Sequence, residues 1–383
     1  MTKTSDQGEL RKFVAPEFVF GSGARFLAGR YLMNFGVRKA LIVTDPGVTA
    51  AGWTKQVIDR ITSEGISCAL FSGVTSNPRD HEVMEGARVY KNEGCSAIVA
   101  VGGGSPMDCA KGIGIVSSNG NNIISFEGVD KVPLPGPPLI CVPTTAGTSA
   151  DVSQFAIIAD TVRKIKIAIV SKSVIPDAAL IDPETTVSMN EELTACTGLD
   201  ALTHAVEAYV SNAHSPITDL HALEAIRLVS ANLVQAIRNP DDREARTRMM
   251  MGSLHAGLAF SNASLGAVHA MAHSLGGIMD FPHGEANAIL LPYVIEYNFS
   301  AAAERYQRIN EAMGLADQQS SDVVAAFVRL QKEAGAFKRL GAMGLHKDDI
   351  PGLARTAMSD ACMVTNPRRP TVKDIEKIYE KAF

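Results

Sequence analysis

The chain has 383 residues, of which 46% are hydrophobic and 20% are charged, and its formal net charge is −5. The length predicts two or three domains with ample core, and the weakly acidic balance argues against a general nucleic-acid surface and a polybasic membrane patch. The N-terminal residues lack the apolar core of a signal peptide, no apolar run is long enough to span a bilayer, and the six cysteines show no C-x-x-C spacing. These features favour a reduced, cytoplasmic protein.

Short apolar runs recur in the first half of the chain and predict β-strands. They cover residues 40–44, 97–101, 139–142, 155–158, 167–170 and 179–181. A helical pattern spans residues 80–93, between the first two runs. Strands that alternate with helices predict a parallel sheet covered on both faces. Residues 13–20 are apolar enough to form an edge strand, which would pair either within the chain or with a second copy.

Beyond residue 183 the strand pattern nearly vanishes, and helical patterns rich in alanine, leucine and methionine replace it. They cover residues 191–210, 217–238, 243–260, 264–279, 321–333 and 372–382. The sequence therefore predicts an α/β domain with a parallel sheet over residues 1–183, followed by an all-α domain over residues 184–383.

Three loops that follow predicted strands carry residues suited to a nucleotide. Asp45 ends the first strand, where a carboxylate could hold ribose hydroxyls and repel a 2′-phosphate, favouring NAD over NADP; a helix cap before Pro46 is an equal alternative. Residues 101–108 read V-G-G-G-S-P-M-D, and their glycines could let backbone N–H groups approach phosphate oxygens or could simply form a tight turn. Residues 144–148 read T-T-A-G-T and could bind phosphate or ribose, or form hydroxyl-bonded turns. Neither the order nor the spacing matches the G-x-G-x-x-G fingerprint.

Asp200, His204, His269, His273 and His283 form the pattern of a metal site. Asp200 and His204 are four residues apart, as are His269 and His273, so on helices each pair shares a face. His283 stands between a proline and a glycine, which predicts a position on the turn that ends the second helix. Three imidazoles and one carboxylate from this set would suit Fe²⁺ or Zn²⁺, whereas Mg²⁺ and Ca²⁺ prefer oxygen ligands. The alternative is that each pair is a polar helix face with hydrogen-bonded core histidines.

Four motifs resemble those of the iron-activated (group III) alcohol dehydrogenases, which include propanediol, methanol and ethanol dehydrogenases. Residues 266–288 reproduce G-x-x-H-x-x-A-H-x-x-G and then P-H-G-x-x-N-A, and residues 198–207 reproduce G-x-D-A-x-x-H-A-x-E. Upstream, G-G-G-S-x-x-D and T-T-A-G-T occur in the expected order. The chain departs from the family pattern at residues 149–151, which read Ser-Ala-Asp where many members have Gly-Ser-Glu. It departs again at residues 285–286, where Glu-Ala replaces x-Cys, and this second difference bears on substrate preference.

The resemblance implies a Rossmann-like, dehydroquinate-synthase-like fold and a role for each matching residue. It implies metal ligation by Asp200, His204, His269 and His283, NAD binding by Asp45, Asn77, Gly103, Gly104, Ser105, Thr144, Thr145 and Lys166, proton transfer or positioning by His273, and a substrate pocket lined by Phe155, Phe260 and Cys362. The implied reaction is reversible hydride transfer between a short primary alcohol or diol and NAD, assisted by Fe²⁺, Zn²⁺ or another divalent metal. A homo-oligomer is also implied.

Three other functions are compatible with parts of the sequence. A dehydroquinate-synthase-like lyase would also use NAD and a divalent metal, but it would recycle NAD without net formation of NADH. A catalytically idle regulatory protein would bind NAD or metal without turnover, although the intact ligand set argues against it. A metal phosphohydrolase could use the clustered histidines, but it would leave the nucleotide-like loops unexplained.

Overall fold

The computed structural model describes residues 11–315 and 322–383, and the nine β-strands in these ranges all lie before residue 182. The strands are β1 (Glu17–Phe20), β2 (Lys39–Val43), β3 (Ser67–Phe71), β4 (Ala97–Gly102), β5 (Gly128–Val129), β6 (Leu139–Pro143), β7 (Phe155–Asp160), β8 (Ile165–Val170) and β9 (Ala178–Ile181). The structure therefore confirms the predicted concentration of strands in the first half.

The α-helices of the described ranges divide unevenly between the two halves. Five lie before residue 120: α1 (Ala28–Asn34), α2 (Pro46–Ala50), α3 (Trp53–Ser63), α4 (Asp80–Asn92) and α5 (Gly104–Asn119). Nine follow residue 190: α6 (Glu191–Val210), α7 (Pro216–Arg238), α8 (Arg243–Ala263), α9 (Ala267–Met279), α10 (His283–Asn298), α11 (Ala303–Ala312), α12 (Asp322–Glu333), α13 (Ile350–Met358) and α14 (Val372–Ala382). The predicted helical second half is confirmed.

Six strands form one parallel sheet in the order β1-β9-β6-β4-β2-β3. Alternate residues of β2 enter two different cores: Leu41 packs in the core that includes Val83 of α4, and Ile42 in the core that includes Val57 of α3. Helices therefore cover both faces, as the continuous apolar strands predict. The chain runs from β2 outward to β3 and then returns past β2 to β4, so the strand order reverses between β2 and β4. Ligands of open α/β sheets bind at such a switch point, outside the carboxyl ends of the strands.

A second, three-stranded sheet contains two of the predicted strands. In the order β5-β8-β7, strand β7 runs antiparallel to β8, with Phe155 opposite Val170 and Asp160 opposite Ile165. The prediction that these two runs belong to the parallel sheet is wrong. The connection between them is only residues 161–164, which is too short for the crossover that parallel neighbours require, so the pair forms a hairpin.

Several helix boundaries in the second half differ from the sequence prediction. The helix predicted over residues 264–279 begins at Ala267, because Ser264 has a φ of 61° and Gly266 is an extended N-cap. The sequence patterns do not predict α10, α11 or α13, and α10 carries Pro292 in its interior, where proline usually ends a helix. The helix predicted from Ser321 is observed as α12, and Ser321 itself lies outside the described residues.

The N-terminal segment pairs within the chain. Strand β1 lies at the sheet edge beside β9. Before it, the Val14 N–H donates to Oδ1 of Asn262 at 2.7 Å, and Nδ2 of Asn262 donates to the Val14 carbonyl at 3.0 Å. None of the described helices is both long and apolar enough to cross a membrane.

Two glycines allow the sheet half and the helical half to approach closely. A Cβ atom at Gly147, in the loop after β6, would lie 2.6 Å from the Cβ of Thr197 on α6. A Cβ atom at Gly277, on α9, would lie 2.7 Å from the Cα of Ile165 on β8. The helices that carry the predicted metal ligands therefore pack directly on the first half.

Candidate metal and dinucleotide site

Three helices bring the predicted metal ligands together in the protein interior. Helix α6 carries Asp200 and His204, α9 carries His269, and α10 begins with His283. The first three side chains belong to residues that are no more than 4% exposed, and His283 is partly buried. Burial of four polar side chains in one place costs free energy unless they are paired or bind an ion.

Oδ1 of Asp200 is the common centre of these side chains. It lies 3.7 Å from Nε2 of His269 and 3.9 Å from Nε2 of both His204 and His283. Ligand atoms of Asp200, His269 and His283 all lie within 4.8 Å of one another. One ion with metal–ligand distances of about 2.0–2.2 Å can bridge atoms at this spacing.

The amide of Asn287 shows that this centre is rich in electron pairs. Its Nδ2 lies 2.7 Å from Oδ1 of Asp200, 3.1 Å from Nε2 of His269 and 3.2 Å from Nε2 of His283. One NH₂ group has two hydrogens, so it cannot satisfy three acceptors at once. A carboxylate and converging imidazoles therefore fit a borderline divalent cation such as Fe²⁺ or Zn²⁺.

The protonation of His204 and His283 suits a metal, whereas His269 must first lose a proton. Burial lowers the pKa of His204 to about 4 and the pKa of His283 well below its usual value, so both imidazoles are neutral at neutral pH. Burial also acts on the pKa of His269, but hydrogen bonds to Asp200 and Glu207 outweigh it and raise that pKa to about 9. Burial alone would raise the pKa of Asp200, but the three imidazoles lower it below its usual range. A metal that binds here therefore displaces a proton from His269.

His283 starts a helix, so the prediction that it lies on the turn ending the preceding helix is wrong. It is the first residue of α10, and Pro282 is the N-cap. Helix α9 has already ended at Met279, and Asp280, with a φ of 53°, is its left-handed C-cap. Proline near a helix boundary is as compatible with a helix start as with a helix end, which is why the local pattern does not decide between them.

His273 lies one turn beyond His269 and is held by a different carboxylate. Its Nδ1 is 2.9 Å from Oδ2 of Asp360, and its ring stacks on that of His283 with centroids 5.3 Å apart. Burial alone would raise the pKa of Asp360, but His273 lowers it to about 2, so Asp360 is a carboxylate at neutral pH. Because a carboxylate only accepts hydrogen bonds, Asp360 fixes a proton on Nδ1 of His273 and leaves Nε2 for other partners.

Three loops with predicted dinucleotide residues lie at the carboxyl edge of the parallel sheet, on both sides of the switch point. Asp45 follows β2, Gly103 follows β4, and Thr144 follows β6. The Thr144 N–H donates to the Gly102 carbonyl at 2.9 Å, which joins the second and third of these loops. Asp45 also caps α2, because its Oδ1 accepts a hydrogen bond from the Val48 N–H at 2.9 Å. The helix-cap interpretation of Asp45 is therefore confirmed, and its ribose role stays a prediction.

Gly103 and Gly104 leave room for the T-T-A-G-T loop. A Cβ atom at Gly103 would lie 3.1 Å from Cγ2 of Thr145, and one at Gly104 would lie 2.9 Å from Cγ2 of Thr148. Helix α5 begins at Gly104, and no side chain of the described residues caps its N-terminus. Its first N–H groups therefore remain available to an anionic ligand.

Lys166 and Asn77 both line the cavity that contains the predicted metal ligands. A Cβ atom at Gly276 would lie 2.8 Å from Nζ of Lys166, so this glycine of α9 makes room for the lysine side chain. Burial lowers the pKa of Lys166 to about 8, even though Asp200 favours its charged form. Nδ2 of Asn77 donates to Oδ1 of Asp280 at 2.8 Å, which ties the loop before α4 to the turn between α9 and α10.

A cavity of about 130 Å³ connects the two halves of the site. The predicted residues that line it are Asn77, Gly104, Ser105, Phe155 and Lys166 from the first half and Asp200, His204, Phe260, His269, His273, His283 and Cys362 from the second. Four other predicted residues, Asp45, Gly103, Thr144 and Thr145, do not line this cavity and lie along the carboxyl edge of the sheet. The four predicted metal ligands and some of the predicted dinucleotide-binding residues therefore line the same cavity.

Two aromatic rings and a thiol form the apolar wall of this cavity. The rings of Phe155 and Phe260 have centroids 5.8 Å apart, and Phe260 stacks on His204 at 4.4 Å. Burial raises the pKa of the Cys362 thiol well above its usual value, so the thiol is neutral at neutral pH. The three predicted pocket residues therefore present an apolar surface beside the histidines.

Two family models match nearly the whole chain. The model described as iron-containing alcohol dehydrogenase matches residues 15–183, and the C-terminal model of the Fe-containing alcohol dehydrogenase family matches residues 194–383. The chain belongs to the iron-containing alcohol dehydrogenase family. The resemblance drawn from its motifs is therefore confirmed.

This family member is similar over almost its full length to relatives with different names. It is 41% identical over 372 residues to a 1,3-propanediol dehydrogenase of Citrobacter freundii, covering 95% of this chain and 96% of the relative. It is 38% identical over 377 residues to an NAD-dependent methanol dehydrogenase of Bacillus methanolicus, covering 97% and 99%. A crystal structure of a 1,3-propanediol oxidoreductase matches with a TM-score of 0.95 at 40% identity, covering 98% of this chain and all of that one. Similar sequence identity therefore accompanies relatives with different named substrates.

Sequence reasoning gives no role to three polar residues that contact the site, namely Glu207, Asn287 and Asp360. Glu207 lies three residues after His204, and Asn287 lies four residues after His283, so helical periodicity could have placed each beside a predicted ligand. Asp360 is 87 residues from its partner His273, and no local pattern connects the two.

Proposed function

We propose that this dehydrogenase transfers a hydride, reversibly, between a short primary alcohol or diol and NAD. The observation that carries the proposal is the shared cavity, in which a carboxylate and three imidazoles face the loops at the carboxyl edge of a parallel sheet. The relatives named 1,3-propanediol dehydrogenase and NAD-dependent methanol dehydrogenase support the same reaction, and neither supports the lyase or the regulatory alternative. We also retain a division of the chain into two domains near residue 183.

Asp200, His204, His269 and His283 would hold the metal. Iron is the expected ion because the family is defined as iron-containing, and the same donors would also accept Zn²⁺. When bound, the metal supplies Lewis-acid chemistry that lowers the pKa of a substrate hydroxyl. The four side chains would hold the metal in a fixed, buried position beside the cavity.

The loops at the carboxyl edge of the sheet would hold NAD. The N-terminus of α5 offers N–H groups to the pyrophosphate, and Gly103 and Gly104 present no side chain that would block its approach. Asp45 would accept hydrogen bonds from ribose hydroxyls and repel a 2′-phosphate. Lys166 would add a positive charge beside the cofactor. NAD, when bound, supplies the hydride acceptor.

Phe155, Phe260 and Cys362 would select the substrate by size and polarity. Their apolar wall stands beside His204, so the carbon chain of an alcohol would lie against the rings while its oxygen faces the metal ligands. Such a wall would also exclude water from the site, which prevents side reactions with solvent during hydride transfer. A short chain fits the small cavity best.

His273 would accept the proton that the alcohol releases. Asp360 holds the Nδ1 side of its ring at 2.9 Å, and His273 lines the cavity next to the predicted ligands. A positioned imidazole can act as a general base and then as a general acid, because it can accept a proton on one nitrogen and release it again.

We further infer a cytoplasmic homo-oligomer. The six cysteines are free, as is usual in a reducing compartment. In the described chain β1 ends the sheet, and its Phe18 is 41% exposed, so this edge offers a surface for a second copy. Light scattering of the purified protein would give the mass, and a monomer at micromolar concentration would contradict the inference.

The decisive experiment is NADH formation under anaerobic conditions, using Fe²⁺-reconstituted protein, NAD and a panel of short alcohols and diols. Metal-free protein is the control, and the corresponding aldehydes with NADH test the reverse direction. Fe²⁺-dependent NADH production would support the proposal. No turnover in either direction from protein that demonstrably holds metal and NAD would contradict it.

Replacing Asp45 is expected to weaken the preference for NAD over NADP. Asp45→Asn keeps a side-chain cap for α2 but removes the charge that would repel a 2′-phosphate. Loss of a charged hydrogen bond to the ribose should reduce kcat/KM for NAD about 10- to 100-fold, while kcat/KM for NADP holds or rises. Asp59→Asn removes the same charge from the exposed face of α3 and is the control. An unchanged ratio of the two values would refute the ribose role of Asp45.

A further inference from the structure

We propose that Glu207 is the positioning residue that fixes the metal ligand His269 and locks α9 onto α6. The inference rests on the proposed function, because it takes Asp200 and His269 as metal ligands. Glu207 lies on α6, two turns beyond Asp200, and is 4% exposed. Its side chain reaches across to the first turn of the next ligand-bearing helix.

The carboxylate of Glu207 makes hydrogen bonds to both the ring and the backbone of the α9 terminus. Its Oε2 lies 2.6 Å from Nδ1 of His269, and its Oε1 accepts from the Val268 N–H at 2.7 Å. The His269 N–H also points to Oε2, at 3.4 Å. Since a carboxylate only accepts, Nδ1 must be the donor, which leaves Nε2 on the side facing Asp200. Glu207 therefore sets which nitrogen of His269 is offered to a metal.

Glu207 also supplies the capping side chain that the N-cap residue of α9 lacks. The N-cap residue is Gly266, which has no side chain to accept the first N–H groups of the helix. Oδ1 of Asn366 accepts from the Ala267 N–H at 3.1 Å, and Glu207 serves the next two N–H groups. A negative charge at a helix N-terminus is favourable because of the helix dipole. The position of α9 along its axis is thus tied to the same side chain that orients His269.

The glycine at position 266 is required by this arrangement. A Cβ atom there would lie 2.9 Å from Oε1 of Glu207 and 2.9 Å from Oδ1 of Asn366. Any larger residue would push the two capping groups away from the helix terminus. The first glycine of the G-x-x-H motif therefore has a physical role, which is to admit a buried carboxylate behind the ligand.

Glu207→Gln tests the proposal because it preserves size and removes the charged acceptor. Carboxylates and other groups that hydrogen-bond a metal-bound histidine typically contribute 10- to 100-fold to metal affinity. We expect Fe²⁺ affinity, measured anaerobically by competition with a colorimetric chelator, to fall by about this factor. NAD affinity should be unchanged. Glu191→Gln, on the exposed first turn of the same helix, is the matched control and should retain wild-type affinity for Fe²⁺.

The results separate this inference from the proposed function. Wild-type affinity for Fe²⁺ in Glu207→Gln would overturn the inference and leave the proposed function standing. Wild-type protein that binds no divalent metal would overturn both. A measurement that needs no variant of Glu207 is nitrogen NMR of the Zn²⁺-loaded wild-type protein with ¹⁵N-labelled histidine. A proton on Nδ1 of His269 and metal on Nε2 would support the inference, and metal on Nδ1 would overturn it.

Discussion

Replacing His269 by alanine is expected to remove both bound metal and turnover. His269 is 1% exposed, and its Nε2 lies 3.7 Å from Oδ1 of Asp200, so no other side chain can move in to replace it without repacking α9. Loss of a group that only supports a ligand costs 10- to 100-fold, so loss of the ligand itself should reduce Fe²⁺ affinity and kcat by more than about 100-fold. Atomic spectroscopy of the purified variant and the NADH assay measure the two effects.

His255→Ala provides the control for this prediction. His255 is a partly buried histidine on α8 whose Nδ1 lies 2.9 Å from Nδ1 of His221, away from the cavity. Its replacement removes an imidazole of comparable size and should leave metal content unchanged. Full metal occupancy and turnover in His269→Ala would show that the metal site has been assigned to the wrong residues.

Replacing His273 by alanine is expected to give the opposite combination, retained metal and slow turnover. Its Nδ1 is already engaged by Asp360, and it does not belong to the group of ligand atoms centred on Asp200. Loss of a general base or acid typically costs 10²–10⁴-fold, so kcat should fall by about that factor while Fe²⁺ remains bound. Metal content and kcat, measured on the same sample, check both parts.

The matched control for His273 is His214→Ala. His214 also pairs with a carboxylate, that of Asp219 at 3.2 Å, but it lies outside the cavity. Its loss should leave kcat unchanged. If His273→Ala loses its metal, His273 is a ligand and the division of roles is wrong. If its kcat is unchanged, His273 does not accept the proton of the substrate.

Much of the site is predictable because its residues share short helical spacings. Asp200 and His204 lie one turn apart on α6, and a separation of four residues places them on one face wherever that helix packs. The apolar runs before Asp45, Gly103 and Thr144 indicate three strands, and parallel strands bring the loops at their carboxyl ends to one edge of the sheet. Local periodicity therefore determines which side chains can act together within each element.

Other features depend on contacts between elements that are far apart in the sequence. The pairing of β7 with β8 in a separate sheet, the start of α10 at His283 and the approach of Asp360 to His273 follow from packing, which local patterns do not encode. Hydrophobic periodicity specifies a buried face but does not name its partner.

By itself, the sequence determined the chemistry available to this protein: which residues can bind a divalent ion, which loops can approach a phosphate, and in which order they occur. Only the tertiary structure decided how these groups are held. Glu207 reaches His269 because α6 and α9 meet with Gly266 at the contact, and the cavity exists because the helices pack on the sheet half. The physical reason is that spacing along one element is set by the backbone, whereas distances between elements are set by the packing of whole side chains in a dense interior.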